Sequence, residues 1–375
     1  MTVPVRDVVP APAPLQVEAV AGPAFELLIG LSAATTPERA REDTWVPEPV
    51  RWSRELQAAI GAVGARSGEV WLHLLGLALE LPSEDSRSFV RKVSRVPQGE
   101  LRRHVVGVYV PAWTSMLGGE TLERVAAGDR RAIEEALAHP RYYAGHAREA
   151  LGRLLDVPAK ETKELVLGAL RLFAEEVLAP REQDVVPPLL SAADSARALA
   201  ATLGAGDVIS RLTQGYVYEP EPGLPRVVLV PQVALRPSLL LCQHRDARVI
   251  CYPLPREHVD PEIALSEQAV TVGRALADET RVRILRHLAV ESASLDVLAE
   301  RVGLARSTAH HHLGQLRAAG LVTLRGNAQG YSFALRSEGL AEAQRTIGEL
   351  ARAPSAPPAK RRTRRRSAGR PRKRT

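Results

Sequence analysis

Polar and basic side chains between residues 306 and 315 carry the clearest potential for chemistry in this 375-residue sequence. Ala309, Leu313 and Leu316 recur at helical spacing, so they are expected to form the apolar face of a helix. The remaining faces carry guanidinium, hydroxyl, imidazole and amide groups, which hydrogen-bond to phosphates and base edges. The predicted nucleic-acid contacts on this helix are Arg306, Ser307, Thr308, His310, His311 and Gln315.

This helix, over residues 306–319, is the third of three predicted helices. Asp278 is placed to cap the first helix and Ser294 to cap the second, which spans 295–302, because their side chains can accept from nearby backbone N–H groups. Gly303 follows at a sharp turn, where glycine reaches a left-handed conformation without a Cβ penalty. The order of helix, glycine turn and helix predicts a helix-turn-helix.

Two short apolar runs, 321–324 and 331–335, follow the third helix. The segment 325–330 between them is rich in turn-forming residues, so we expect a β-hairpin, the wing of a winged helix-turn-helix. Arg325 in this wing is expected to touch the DNA backbone or the minor groove. Such a module lays its recognition helix in the major groove of double-stranded DNA.

The stretches LADETRVRILRHLA and LAERVGLARSTAHHHLGQLRAAGLV resemble the ArsR/SmtB family of bacterial transcriptional regulators. The resemblance runs from near Val270 to near Leu335, about a fifth of the chain. It implies a homodimer that binds a palindromic operator and represses until an effector arrives. Two positions depart from the family pattern: Ala305, where a serine often caps the third helix, and Ala309, where a β-branched residue is frequent.

Founding members of the family sense metals, and we do not expect this chain to do so. The positions of the family's Cys-x-Cys pair correspond to Ser294 and Asp296, and residues 338–352 contain no histidine. Soft metals need thiolate ligands and borderline metals need imidazole, so both family sites lack their donors. Residues 310–312 are consecutive histidines that point ~100° apart around a helix, so they cannot converge on one ion. No cofactor is predicted.

The remainder of the chain offers few functional signals. Helical spacing over residues 24–203 and strand-like runs over 215–253 predict a mainly α fold with a small β component. GxSxG, Walker and HExxH motifs do not occur, so an enzyme is not expected. The segment 139–146 either lines a ligand pocket or begins a helix at the surface, and the second interpretation is preferred. A large domain ahead of a DNA-binding one resembles actinobacterial ArsR-like regulators.

We predict four segments along the chain. They are a disordered N-terminal arm (1–23), a helical regulatory or dimerisation domain with a small sheet near 215–253 (24–257), a winged helix-turn-helix domain (258–352) and a disordered basic tail (353–375). No apolar run approaches the ~18 residues of a membrane span, and the first residues do not match a secretory signal. Only two cysteines occur, as is usual in a reducing compartment. A cytoplasmic, nucleoid-associated protein without a membrane partner is expected.

The net charge of +7 comes entirely from the basic tail. Residues 360–375 hold ten Lys and Arg and no acid, which leaves 40 basic against 43 acidic residues elsewhere. The end of the tail resembles an AT-hook, whose Gly-Arg-Pro core fits an arginine into a narrow minor groove, so Arg370 and Arg372 are predicted DNA contacts. A generic polycation that binds phosphates is the alternative.

Cys242 and Cys251 form a candidate redox pair. Strands over 238–242 and 248–252 flank a short turn, and a hairpin symmetric about residues 246–247 places the two thiols opposite each other, near disulfide reach. A thiol switch is one interpretation. The other, which we prefer, is a pair of small buried apolar side chains on neighbouring strands.

These features predict a sequence-specific DNA-binding transcriptional regulator. The expected form is a homodimeric repressor, controlled through the N-terminal domain by an unidentified signal such as a small-molecule effector. Two alternatives stay open: an architectural nucleoid protein that acts mainly through its basic tail, and an enzyme domain fused to a DNA-binding module.

Overall fold

The computed structural model describes residues 15–36, 45–64, 66–236, 238–254, 261–327 and 330–349. In these ranges the chain is mainly helical with two small β-sheets, which confirms the predicted fold class. Among the residues described, none of the helices combines the length and the apolar composition that a membrane span requires. The predicted basic tail, with Arg370 and Arg372, lies outside the described residues.

Most helices of the N-terminal region, residues 15–254, pack around one large apolar core, whereas the two helices over residues 182–200 and 205–212 contribute to smaller apolar clusters. Their bounds are α1 Pro23–Ala34, α2 Arg54–Val63, α3 Gly68–His73, α4 Leu75–Glu80, α5 Ser86–Val93, α6 Gln98–Val106, α7 Pro111–Leu117, α8 Gly119–Ala127, α9 Arg130–Ala138, α10 Ala147–Asp156, α11 Ala159–Phe173, α12 Glu182–Ala200 and α13 Ala205–Leu212. α1 is buried along almost its whole length, so it forms the centre of this core, and Trp71 of α3 and Phe173 of α11 are fully buried.

Side-chain caps begin several of these helices. The side chains of Ser53, Asp85 and Asp129 accept hydrogen bonds from backbone N–H groups in the first turns of α2, α5 and α9. Each cap satisfies one N–H that the helix itself leaves without a partner. α2, α5 and α9 therefore begin where the sequence supplies an oxygen acceptor.

Two four-stranded sheets complete the structure. The strands are β1 Gln16–Ala19, β2 Tyr216–Tyr218, β3 Arg226–Gln232, β4 Leu240–His244, β5 Ala247–Pro253, β6 Ala293–Ser294, β7 Val322–Asn327 and β8 Gly330–Leu335. The first sheet has the order β1-β3-β5-β4, with β1, β3 and β5 parallel and β4 antiparallel to β5. β5 is buried along its whole length, so this sheet lies inside the N-terminal region.

The prediction of a disordered arm over residues 1–23 is wrong for Gln16–Ala19. This segment is strand β1, which pairs in parallel with Arg226–Leu229 of β3. The backbone N–H and C=O groups of β1 find their partners in a strand some 210 residues later, a pairing that local sequence does not reveal. Val17 also packs against the apolar cluster on this side of the sheet, which adds burial to the hydrogen bonds.

The predicted opposition of Cys242 and Cys251 is also wrong. β4 and β5 form the expected hairpin, but its closing pair is His244 and Ala247, so Cys242 faces Val249. The two cysteines become diagonal neighbours, typically ~7–8 Å apart between Cα atoms, beyond the ~4.4–6.8 Å of a disulfide. Neither cysteine forms a disulfide, and burial raises the pKa of Cys251 well above its ordinary value, which disfavours the reactive thiolate.

The small sheet predicted near residues 215–253 is divided between the two sheets of the structure. β2 belongs to the second sheet, where it pairs in parallel with β7 at Leu324, Arg325 and Gly326. Leu324 packs against an apolar cluster of the N-terminal region that includes Tyr216. The N-terminal region therefore adds a strand to a sheet whose other members come from residues 293–335.

The C-terminal region, residues 261–349, has the arrangement of a winged helix-turn-helix. Its helices are α14 Pro261–Leu276, α15 Glu279–Leu288, α16 Leu295–Val302, α17 Arg306–Ala318 and α18 Ser337–Glu349. The predicted caps are confirmed, because Asp278 accepts from Arg281 N at 2.9 Å and Ser294 from Val297 N at 3.4 Å. Gly303 adopts the expected left-handed conformation, with φ 71°.

Candidate nucleic-acid interface

α17 separates an apolar inner face from a polar outer face. Ala309, Leu313 and Leu316 have no exposed surface, and the two leucines belong to the apolar core of the C-terminal region. Burial of these positions fixes the rotation of the helix about its axis. The side chains between them must therefore face away from the core.

Five of the six side chains predicted on this helix are exposed, and the sixth is half-buried. The exposed ones are Arg306, Ser307, Thr308, His310 and His311, and the half-buried one is Gln315. They cover the first three turns of α17, a compact patch of hydrogen-bonding groups that we call the α17 face. A helix with this division of faces can lie in a major groove without uncovering its core.

The N-terminus of α17 carries a positive charge in place of a side-chain cap. Ala305 is the N-cap residue and contributes no side-chain hydrogen bond, in line with the departure noted in the sequence. Arg306 forms an ion pair with Asp296 at 2.9 Å, and both side chains are largely exposed. Exposed pairs of this kind contribute little free energy, so the guanidinium can exchange its carboxylate partner for a phosphate at low cost.

Arg281, which the sequence analysis did not single out, connects three helices beneath the α17 face. Its Nε donates to Ala275 O at 2.8 Å and its Nη2 to Arg274 O at 2.6 Å, both in the last turn of α14. Its Nη1 donates to Oε1 of Gln315, and Gln315 Nε2 lies 2.9 Å from Nε2 of His311. A continuous hydrogen-bond relay thus runs from α14 through Arg281 and Gln315 to His311.

His312 differs from its two neighbours. Its side chain is mostly covered, and its Nδ1 lies 3.8 Å from Oδ1 of Asp278, the cap of α15. Burial lowers the pKa of His312, although the charge of Asp278 opposes this shift. The three consecutive histidines therefore do not share one environment, since His310 and His311 are exposed and His312 faces the protein.

Strands β7 and β8 form the predicted wing. β7 continues to Asn327, so Arg325 lies within the strand and not in the turn where the sequence suggested it. Arg325 is exposed; its neighbours are Ser332 in β8 and Val217 in β2. The wing arginine therefore sits beside the strand from the N-terminal region. The strand is longer than predicted because cross-strand hydrogen bonds continue into residues whose composition favours a turn.

Within the described ranges, no group of three or more histidine, cysteine, aspartate or glutamate side chains is arranged to hold a metal ion. Arg370 and Arg372 lie outside those ranges, so their role in DNA contact stays a prediction. The sequence carried no signal for Arg281, because only the tertiary fold brings its side chain to Gln315.

Comparison with known proteins matches residues 276–325 to a family model described as a helix-turn-helix domain. The nodulation protein NolR of Rhizobium meliloti is 38% identical over 87 residues, which cover 23% of this chain and 67% of NolR. The regulator CmtR of Mycobacterium tuberculosis is 42% identical over 79 residues, 21% of this chain and 64% of CmtR. KmtR of the same species is 38% identical over 86 residues, 23% of this chain and 61% of KmtR.

A crystal structure of NolR from Sinorhizobium fredii is 29% identical in sequence and covers 24% of this chain and 92% of that one, with a TM-score of 0.21, too low to support an argument about the fold. The chain spans about two thirds of the length of the regulators that it matches. The matched residues 276–325 include α15, α16, α17 and the first part of β7. Through this C-terminal region the chain belongs to the ArsR/SmtB family of helix-turn-helix, DNA-binding transcriptional regulators.

Proposed function

We propose that the chain is a sequence-specific repressor that binds a palindromic operator as a homodimer and receives its signal through the N-terminal region. The observation that carries this proposal is the α17 face: hydrogen-bonding side chains are exposed on one side of a helix whose other side is locked into the core. Base-edge recognition requires such groups in the groove. Ser307, Thr308, His310 and His311 are the proposed base or phosphate contacts.

A selection from randomised DNA with the full-length protein tests sequence specificity. We expect enrichment of one motif with two related halves, because a two-fold symmetric dimer reads two half-sites about one helical turn apart. A pool that stays random while the protein still retains DNA would support the architectural alternative. Transcription from a promoter that overlaps the enriched motif should then fall when the protein is added, and stay constant on a scrambled template.

Exposed apolar side chains on α14 and α18 support the dimer. Val270, Leu340 and Ile347 are 50%, 41% and 49% exposed, and α14 and α18 contact each other. Burial of such residues against a second copy is favourable, at about 25 cal/mol per Å² of apolar surface. Ile347→Asp should lower the dimer fraction measured by light scattering, whereas Val290→Asp, at an exposed position outside both helices, should leave it unchanged.

The strand pairing between β2 and β7 supports signal transfer from the N-terminal region. Gly215, with φ 93°, lies against Thr323, and Glu219 N donates to Gly326 O at 3.4 Å, so the contact extends beyond the three paired residues. Operator DNA should change the hydrogen-exchange protection of β2 as well as that of α17, with α9 as the unaffected reference. Unchanged protection in β2 would argue against coupling through this strand.

The basic tail is proposed to strengthen binding without choosing the sequence. Deletion of residues 360–375 removes ten positive charges, so fewer counterions are released on binding. We expect the same preferred motif, a lower affinity and a shallower dependence of log K on log salt. An altered motif would instead indicate that Arg370 and Arg372 read the minor groove.

A further inference from the structure

The relay beneath the α17 face determines what kind of hydrogen-bonding group His311 offers. We propose that His311 presents its Nδ1–H as a donor to a hydrogen-bond acceptor on DNA, and that Gln315 and Arg281 hold the imidazole in this form. This inference rests on the proposed function of α17, and it specifies the chemistry of the DNA group that His311 contacts.

Arg281 fixes one end of the relay. Two of its guanidinium nitrogens donate to the carbonyls of Arg274 and Ala275, which belong to the C-terminal turn of α14. The last carbonyls of a helix lack partners within it, so both can accept from the guanidinium, and Arg274 O also accepts a longer bond from Ala277 N at 3.4 Å. The Arg281 side chain is only 12% exposed, and its remaining nitrogen Nη1 points at Gln315.

The orientation of the Gln315 amide follows from this contact. A guanidinium has only donors, so the amide atom beside Nη1 must be the oxygen. The amide nitrogen must then be the atom that lies 2.9 Å from Nε2 of His311. An amide NH₂ only donates, so Nε2 of His311 has to accept and carries no proton.

The hydrogen bond from Gln315 determines the tautomer of His311. In a neutral imidazole one ring nitrogen accepts a hydrogen bond and the other donates one. A donor placed beside one nitrogen therefore leaves the proton on the other nitrogen. With Nε2 accepting from Gln315, the proton resides on Nδ1. Because the His311 side chain is exposed on the α17 face, this N–H is the polar group that it offers to a ligand.

A donor at this position suits an acceptor on DNA. Purine N7 and guanine O6 line the major groove as acceptors, and phosphodiester oxygens line its rim. Amino groups of adenine and cytosine are donors, and they would meet a second donor. We therefore expect His311 to prefer a purine edge or a phosphate over an exocyclic amine.

Two variants of Gln315 test the relay by nitrogen NMR of the histidine rings in the full-length protein without DNA. Wild-type His311 should show the Nδ1–H form. Gln315→Glu keeps the size of the side chain but replaces the donor with a carboxylate, so a proton should appear on Nε2. Gln315→Ala removes the constraint and should allow the Nε2–H form as well. A wild-type His311 protonated only at Nε2 would overturn the proposal.

Modified operators then test the acceptor. We expect wild-type binding to weaken about fivefold when a 7-deazapurine replaces one purine or a methylphosphonate replaces one phosphate, the loss typical of a single hydrogen bond. The first result would identify a base edge and the second a phosphate. The His311→Ala protein should be insensitive to the same change, because its contact is already absent.

The two measurements separate failure of this inference from failure of the proposed function. If both proteins bind the operator and neither modification distinguishes them, His311 contacts neither a purine N7 nor a phosphate, and the inference is wrong. If the protein selects no operator at all, the proposed function fails, and with it the assignment of a DNA acceptor, whatever tautomer the NMR spectra show.

Discussion

Histidine and arginine side chains contribute to two polar clusters among the described residues, and the clusters differ in the direction in which their polar atoms point. The first, which we call the buried histidine cluster, lies among α4, α6 and the turn between β4 and β5. Its members are Glu80, Glu100, His104, Tyr109, His244 and Arg245. The second is the α17 face.

Groups of the buried histidine cluster bind one another. His244 Nε2 lies 2.8 Å from Glu80, Tyr109 donates to Glu100 at 2.6 Å, and the guanidinium of Arg245 lies 4.2 Å above the Tyr109 ring. Groups of the α17 face instead leave hydrogen-bonding capacity at the surface. Histidine and arginine thus stabilise the fold in one place and are available for recognition in the other, because His104 and His244 are buried whereas the histidines of the α17 face are exposed.

The largest effect should come from removing one partner of a buried ion pair. Arg248 Nε donates to Glu221 at 2.8 Å, and both side chains are at least nine-tenths buried. Glu221→Gln leaves an uncompensated buried guanidinium and should cost about 3–5 kcal/mol, measured by urea denaturation. Glu18→Gln, at the half-exposed pair with Arg226, should cost less than about 1 kcal/mol. Equal losses of unfolding free energy in the two variants would show that burial does not determine the contribution of an ion pair.

Acid should destabilise the protein through the buried histidine cluster. Burial lowers the pKa of His104 to about 4 from an ordinary 6.5. Between these two pH values the imidazole is protonated in the unfolded chain and neutral in the folded chain. Stability should therefore fall between pH 6.5 and about 4, by about 3 kcal/mol for this residue. His104→Leu should reduce the pH dependence of the unfolding free energy, with a remainder from His73 and His244, whose pKa values burial also lowers. His146→Leu, at an exposed histidine, is the matched control. The same slope in all three proteins would contradict the prediction.

His311→Ala tests the exposed α17 face, the second of the two clusters. We expect operator binding to weaken by ~1–3 kcal/mol, the range for a base contact, with the melting temperature almost unchanged because the imidazole is exposed. Affinity is measured by fluorescence anisotropy, with His146→Ala as the matched control. A variant that melts earlier but binds normally would move His311 from recognition to stability.

The smallest effect concerns the cap that starts α15. Asp278→Ala should cost about 1 kcal/mol, because the N–H of Arg281 loses its acceptor, whereas Asp278→Asn should cost less. The same backbone hydrogen bond lowers the pKa of Asp278, so its contribution is present at neutral pH and fades as the pH falls through the folded value, below the ordinary 3.8. Thermal denaturation of the wild type and the variants at pH 7 and pH 3 measures these costs. A larger cost of Asp278→Ala at pH 3 than at pH 7 would contradict the prediction.

Local signals explain why the C-terminal region could be predicted closely. Asp278, Ser294 and Gly303 each act on the backbone within a few residues, through caps or a left-handed turn. The apolar spacing of α17 also fixes its own inner face. None of these features needs a distant partner, so the sequence suffices to locate the helices and the exposed positions between them.

The structure of the N-terminal region was harder to predict from the sequence, and particular residues show why. α12 contains Pro187 and Pro188, each of which costs a helix interior roughly 3 kcal/mol in isolation, and the helix continues through both. Tyr142 and Tyr143, which suggested a helix start at the surface, are fully buried and donate to Val106 O and Val105 O of α6. Packing over long sequence distances overrides local preference in both cases.

By itself the sequence determined the helix-turn-helix, its caps and the outward side chains of α17, because those depend on spacing and on interactions a few residues long. Tertiary structure decided the pairing of β2 with β7, the register that separates Cys242 from Cys251, and the relay from Arg281 to His311. Each of these joins segments that are far apart or that could pair in more than one register. Their geometry is set by the burial and hydrogen bonding of the whole fold.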